Sequence, residues 1–309
     1  MTSPLPPPIP GTAVGPVPAG VPPPPPDVRF ASTLPVVAAV GAVAVLTVSL
    51  LGSKLLLDAV VGFGWPVAVY VALLATVGYG PSLWWCRFAS RRWGTGQLSA
   101  DIGLTPRLSD LGWGPVIWLG AIGAQVAVGA VVIALDVPIV GNTEGIEELT
   151  ADRTYVVSIV ISAVVAAPIV EEMVFRGVVM RGLASRLPIV AVVVVQGLLF
   201  GAAHVDPVRG VGNVGLVLVL SGVGIAFGVA VALLGRIGPT IVAHAIFNAA
   251  VLLVVLTGVA DRLDDASLER VEEVGVVDQT DGSHADGDRD ADCSRATLVL
   301  VDLPEWAER

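Results

Sequence analysis

The stretch YVVSIVISAVVAAPIVEEMVFRGVVMRGL, residues 155–183, decides the fold class. From Tyr155 to Val170 it contains no charge, and its apolar residues run continuously instead of alternating. That pattern reads as a helix in lipid and excludes a β-barrel strand. Two adjacent acids and an arginine then break the run. A charge at bilayer depth costs about 2.5–3.5 kcal/mol on insertion scales unless it is paired or lines water. Glu171, Glu172 and Arg176 are therefore the residues to interrogate.

Outward from this stretch, further apolar runs of bilayer length, about 20 residues each, cover Leu34–Leu51, Trp65–Trp85, Trp113–Leu135, Pro188–Val205, Val214–Leu234 and Pro239–Val259. With 155–183 they predict an all-α, polytopic transmembrane bundle of about seven helices. Composition agrees: of 309 residues, 54% are hydrophobic and only 14% charged, with a mean hydropathy of +0.82. Glycines such as Gly222, Gly224 and Gly228 suit close helix contacts in lipid, where small residues favour packing.

The flanks differ from this body. Residues 1–32 form a Pro-rich, extended N-terminus, 33–259 the bundle, and 260–309 an acidic tail with the composition of disorder. Residues 1–259 balance 12 Lys+Arg against 12 Asp+Glu, so the net charge of −10 belongs to the tail, with 5 and 15. A neutral body offers no basic face for phosphates, so no nucleic-acid partner is expected. The short apolar stretch Leu298–Leu303 is too brief to span. Two cysteines, Cys86 and Cys293, make neither a disulfide framework nor a C-x-x-C metal site.

Orientation rests on the connection Arg87–Leu111, whose four arginines make it cytoplasmic by the positive-inside rule. Alternation then places Asn142–Asp152 outside and Arg181, Arg186 and Arg236 near cytoplasmic connections. The expected localisation is the cell membrane, multi-pass, with lipid and a membrane-bound protein or peptide as partners.

Few polar residues in the spans survive the depth criterion: Glu171, Glu172, Arg176, His204, His244 and Asn248. His284 falls in the tail. Glu172 and Arg176 are i, i+4 with the acid first, the favourable order for an ion pair on a helix. This leaves Glu171 without an obvious partner; the alternative, that both glutamates serve only to bind Arg176 and Arg181, is weaker for Glu171. An unpaired carboxylate in a low-dielectric cavity holds a proton readily, which suits a general acid or base. The same spacing sets Phe200 above His204 and His244 beside Asn248. Measured along straight helices, Glu171 and His204 lie opposite one another, about 25 Å from the Leu187–Pro188 turn at 1.5 Å per residue. His244 lies only about 10 Å from its own turn by the same rise. Convergence then requires a site well inside the bilayer, with Asp206–Asn213 irregular and lining a cavity.

Glu171-Glu172-Met-Val-Phe-Arg176, Phe200-Gly-Ala-Ala-His204 and His244-Ala-Ile-Phe-Asn248 reproduce, in order, E-E-x-x-x-R, F-x-x-x-H and H-x-x-x-N. Together they closely resemble the CPBP (Abi) family of intramembrane proteases, named for CAAX-processing and bacteriocin-processing proteins, which includes the type II CAAX prenyl endopeptidase. The resemblance covers 155–259. It implies an endopeptidase in which Glu171 activates water, His204 and His244 assist it or hold a metal, Asn248 stabilises the oxyanion and Arg176 orients the glutamates. Glu171, His204 and His244 with a water would satisfy a three-ligand Zn2+ site; a water held by the same groups with an amide oxyanion hole works without metal. The soluble metalloprotease signature H-E-x-x-H is absent. Two other readings remain: a non-catalytic membrane scaffold or immunity protein that keeps the fold, and an ion-coupled transporter, for which no paired inverted repeat is visible.

Overall fold

The computed structural model describes residues 34–139, 153–205 and 213–257. The Pro-rich N-terminus, the Asn142–Asp152 connection, residues 206–212 and the acidic tail with Leu298–Leu303 lie outside the described residues. So do the expected domain limits at 32 and 260.

Among the described residues every regular element is helical: α1 (Val36–Val60), α2 (Val67–Trp93), α3 (Leu98–Ile102), α4 (Asp110–Ala134), α5 (Arg153–Val160), α6 (Ala167–Glu172), α7 (Met180–Ala184), α8 (Ile189–Ala202), α9 (Val214–Leu234) and α10 (Gly238–Thr257). Six helical stretches are long and apolar enough to cross a membrane, and α8 is a shorter apolar helix. The expected polytopic helical bundle is present, and the protein is a multi-pass membrane protein. At 14 residues α8 is about 21 Å long, short of the roughly 30 Å hydrocarbon core.

Two ends move relative to the hydropathy reading. α1 continues to Val60 because Lys54 and Asp58 interrupt the apolar run without interrupting the helix. α2 continues to Trp93, so Arg91 and Arg92 sit in its last turn, where cations oppose the negative end of the helix dipole. Aromatic residues gather at both ends of the α1–α2 pair. Phe63, Trp65 and Tyr70 stack at the turn, and Trp84, Trp85, Phe88 and Trp93 at the far end of α2, as amphipathic rings do at membrane interfaces.

The fourth span, Val156–Ala184, is not the uniform helix its composition suggests. It carries π-helical segments at Ile161–Ala166 and Met173–Val179, one on each side of α6 and its glutamate pair. For the first segment the cause is visible. The N–H of Ala167 bonds Ser162 O, five residues back, and Pro168, next in line, has no N–H to give. π-Turns of this kind recur at functional sites.

α8 and α9 pack backbone to backbone through Gly197 and Gly201 on one side and Ser221 and Gly224 on the other. A Cβ on Gly197 would come 2.8 Å from Ile225 N, and one on Gly201 2.8 Å from Ser221 N. Small residues four apart let helices approach this closely in lipid.

At one end of the bundle the arginine-bearing connections meet. Arg236 pairs with Asp110 at 2.6 Å, Ile237 N bonds Gly103 O, and Arg181 Nη2 donates to Gly235 O at 3.1 Å. Gly103 and Gly235 both hold left-handed backbone, φ 70° and 73°, which glycine adopts without a Cβ penalty. Gly235 thereby ends α9 and lets α10 begin three residues later.

Candidate active site

The Arg181–Gly235 contact sets the antiparallel register of the fourth span against α10. Nine positions inward from each partner, about 13 Å by helical rise, lie Glu172 and His244, and their side chains are bonded: His244 Nδ1 to Glu172 Oε1, 3.0 Å. This corrects the straight-helix arithmetic. The α9–α10 turn is level with Arg181 and not with the Leu187–Pro188 turn, so His244 starts deeper and meets the glutamates directly.

Glu172 and Arg176 form the expected i, i+4 ion pair at 2.9 Å, both fully buried. Burying such a pair is costly unless the remaining donors and acceptors are met; here some are, while Glu172 Oε2 and Arg176 Nε have no hydrogen-bond partner. Arg176 Nη2 donates to Gly224 O at 3.2 Å, and the guanidinium lies 4.3 Å from the Phe200 ring centroid and 5.2 Å from that of Phe227. Gln196 Nε2 donates to the same Gly224 oxygen at 2.8 Å. Its amide fits there because Gly228 has no side chain to collide with it.

Glu171 stands apart from this network. Its Oε2 is buried with no hydrogen-bond partner, and His244 Nε2 lies 3.9 Å from it. Arg181, the other cation weighed as a partner for the glutamates, reaches Gly235 O instead. A carboxylate accepts, so His244 donates its Nδ1–H to Glu172 and presents a bare Nε2 toward Glu171. The orientation and tautomer of this ring are thus fixed by Glu172, as a carboxylate commonly fixes a working histidine.

His204 follows the last turn of α8. Its Nδ1 lies 2.8 Å from Phe200 O; a carbonyl only accepts, so Nδ1 carries the proton and Nε2 is left as an acceptor. Phe200 packs between the two histidines, its ring centroid 4.9 Å from that of His204 and 5.8 Å from that of His244. Asn248, one turn beyond His244, donates Nδ2 to Ala163 O at 2.7 Å. Ala163 O is the carbonyl left over by the first π-segment, because Ala167 N–H has gone to Ser162 and Pro168 has none. Asn248 therefore keeps one Nδ2–H for another acceptor.

Glu171, Phe200, His204, His244 and Asn248 line one cavity of about 580 Å³, within the usual range for a small-molecule or peptide site. Every residue singled out as catalytic is in its wall; Glu172 and Arg176 sit behind it. Other polar lining residues, Tyr79, Gln125 and Ser162, escape a screen for charged residues and histidines. So does Gln196, which anchors the Arg176 cluster. A signal was available, since Gln125 and Gln196 are the amides of otherwise apolar runs.

The three ligands considered for zinc are not gathered around one point. Among the described residues no three His, Cys, Asp or Glu side chains are grouped to hold a metal. His244 Nδ1 is taken by Glu172 and His204 Nδ1 by a backbone carbonyl, so each ring has one nitrogen for the cavity.

Residues 153–250 match the family model described as type II CAAX prenyl endopeptidase Rce1-like. This segment is similar to that family. It begins with α5 and ends within α10, so it contains the glutamate pair, both histidines and Asn248. The Rce1-like match thus agrees with the resemblance carried by the three motifs and supports a membrane protease at the level of the family. No curated protein and no solved structure matched the chain.

Proposed function

We infer that the protein is an intramembrane endopeptidase that hydrolyses a peptide bond of a membrane-associated protein or peptide, in CAAX-type or bacteriocin-type processing, with Glu171 as the general base. One observation carries this reading: a buried, unpartnered carboxylate oxygen on Glu171 in a cavity that also holds two oriented histidines and an amide donor. A group with no structural partner is costly to bury, and proton transfer is the use that repays it.

In this mechanism a water held by Glu171 Oε2 and His204 Nε2 attacks the scissile carbonyl carbon. Its proton passes to Glu171 as the new C–O bond forms, and the carbonyl electron pair moves onto oxygen. The free Nδ2–H of Asn248 donates to that oxyanion. Such pre-oriented donors are the largest single contribution in many acyl-transfer sites. On collapse the C–N bond breaks and the proton on Glu171 passes to the departing amine. His244, set by Glu172, faces Glu171 with an acceptor nitrogen toward which the protonated Glu171 carboxyl can donate between these steps. Because Glu171, His204 and His244 are not gathered as three metal ligands, the course is one that needs no bound Zn2+, and the cell membrane is the expected location.

The substrate is sought by comparing membrane proteomes of wild-type and Glu171→Ala cells. A membrane protein or peptide truncated only in the wild type is the expected result. Full biological function in a triple variant at Glu171, His204 and His244 would instead favour the scaffold or immunity reading.

A further inference from the structure

Before Arg153, the described chain reaches the cavity wall at only two side chains, Tyr79 of α2 and Gln125 of α4. Both are polar, in helices whose overall composition is that of membrane spans. Both lie outside the matched segment 153–250, and neither has a part in the hydrolysis described above. Gln125 Oε1 is buried and has no hydrogen-bond partner. Native proteins satisfy nearly all buried polar groups, so an exception at a cavity wall points to a partner that arrives from the cavity.

We propose that Tyr79 and Gln125 are the substrate-binding groups of this cavity, hydrogen-bonding the backbone of an extended, uncharged peptide segment beside the scissile bond. A peptide entering an apolar cavity gives up the water on its N–H and C=O groups and needs replacements for it. A side-chain amide is their complement, since Gln125 Oε1 accepts a peptide N–H while Nε2 donates to a peptide carbonyl. The Tyr79 hydroxyl adds a second donor. The segment is uncharged because the lining residues include Glu171 but no Lys or Arg, so an acidic side chain in the cavity would face a like charge without a counter-ion. Backbone contacts of this kind select conformation and apolarity over a particular side chain. They place peptide choice on α2 and α4 and hydrolysis on the Rce1-like segment. This assignment rests on the active-site reading given above.

The test uses full-length protein in detergent carrying Glu171→Gln, which should bind without cleaving. The probe is a fluorescent peptide ending in a farnesylated cysteine followed by three uncharged residues, with Kd read by anisotropy. Adding Gln125→Leu or Tyr79→Phe is expected to raise Kd about five- to tenfold each, the worth of one net hydrogen bond. Thermal stability of the unliganded Gln125→Leu protein should not fall, because an unpaired polar atom has been removed. A peptide that binds no form, or binds all forms within twofold, overturns the proposal. So does a Gln125→Leu protein that is markedly less stable, which would mark a structural amide. Failure of the active-site reading is seen separately, as cleavage that persists in Glu171→Gln protein.

Discussion

Adjacent in sequence, Glu171 and Glu172 divide the work of the site. Glu172 is tied through Oε1 to Arg176 and His244 behind the cavity, whereas Glu171 brings a buried, unpartnered oxygen to the cavity wall. The i, i+4 rule separates them from sequence alone, since only Glu172 has Arg176 one turn onward. What the rule could not supply is the second bond from His244, seventy-two residues away, nor the amide of Gln196 on Gly224. These depend on which faces of distant helices meet. Arg176→Ala removes one partner of a fully buried pair and leaves Glu172 uncompensated. A loss of about 3–5 kcal/mol is expected, read as a lower thermal midpoint in detergent together with lost cleavage. Asn248→Ala should leave the fold intact and lower kcat about 100- to 1000-fold, the usual cost of one oxyanion donor, with KM little changed. An unaltered kcat would remove Asn248 from the oxyanion role.

Among the elements, the fourth span and α8 position the chemistry. Hydropathy locates both, but it is blind to the π-segments at Ile161–Ala166 and Met173–Val179, because it measures how apolar a stretch is and not the pitch of its helix. Pro168 was the legible clue: a proline inside an apolar run removes a donor and frees a carbonyl, which Asn248 then takes. Similarly, Gly224, one of the glycines named from sequence on α9, meets Gly197 of α8, and Gly201 of α8 lies against Val217 and Ser221; the two α8 glycines set how closely the His204-bearing helix can lie. Gly201→Val would drive a side chain into the backbone of Val217 and Ser221. Overpacking of this kind typically costs about 1–3 kcal/mol. The expected outcome is a lower thermal midpoint and weaker cleavage, because α8 carries both Phe200 and His204. Gly112, whose Cβ would meet open space, is the control position, and Gly112→Ala should leave both unchanged.

For the molecule as a whole, the arginine-bearing end acts as a clasp that fixes the depth at which the site assembles. There Asp101 receives Ser90 Oγ at 2.6 Å and Thr95 N at 2.9 Å, and it lies beside Gly94, which has no side chain to displace it. Burial alone would raise the Asp101 carboxyl, but the bonds from Ser90, Thr95 and Gly96 outweigh it and hold it below its ordinary value. A folded-state value below the unfolded one, about 3.9, means that this stabilisation is present above that pH and is lost as pH falls through the folded value. The thermal midpoint should therefore drop as pH falls below about 4, and Asp101→Asn should flatten that acid limb while lowering stability at neutral pH by about 1–3 kcal/mol. An acid limb of unchanged steepness in the variant would exclude Asp101 as its source. The bundle, its spans and the three motif positions were all legible in the sequence. The depth of His244 was not, because it follows from the Arg181–Gly235 contact, which no helical periodicity encodes. The central claim is that Glu171 performs the proton transfer, and it is tested most directly by single-turnover cleavage of a farnesylated CAAX peptide with purified wild-type and Glu171→Gln protein at matched thermal stability. The expected result is cleavage by the wild type and a loss of at least about a thousandfold in the variant, within the range in which catalytic carboxylates and triad members act; cleavage by the variant at a rate near that of the wild type would contradict the account.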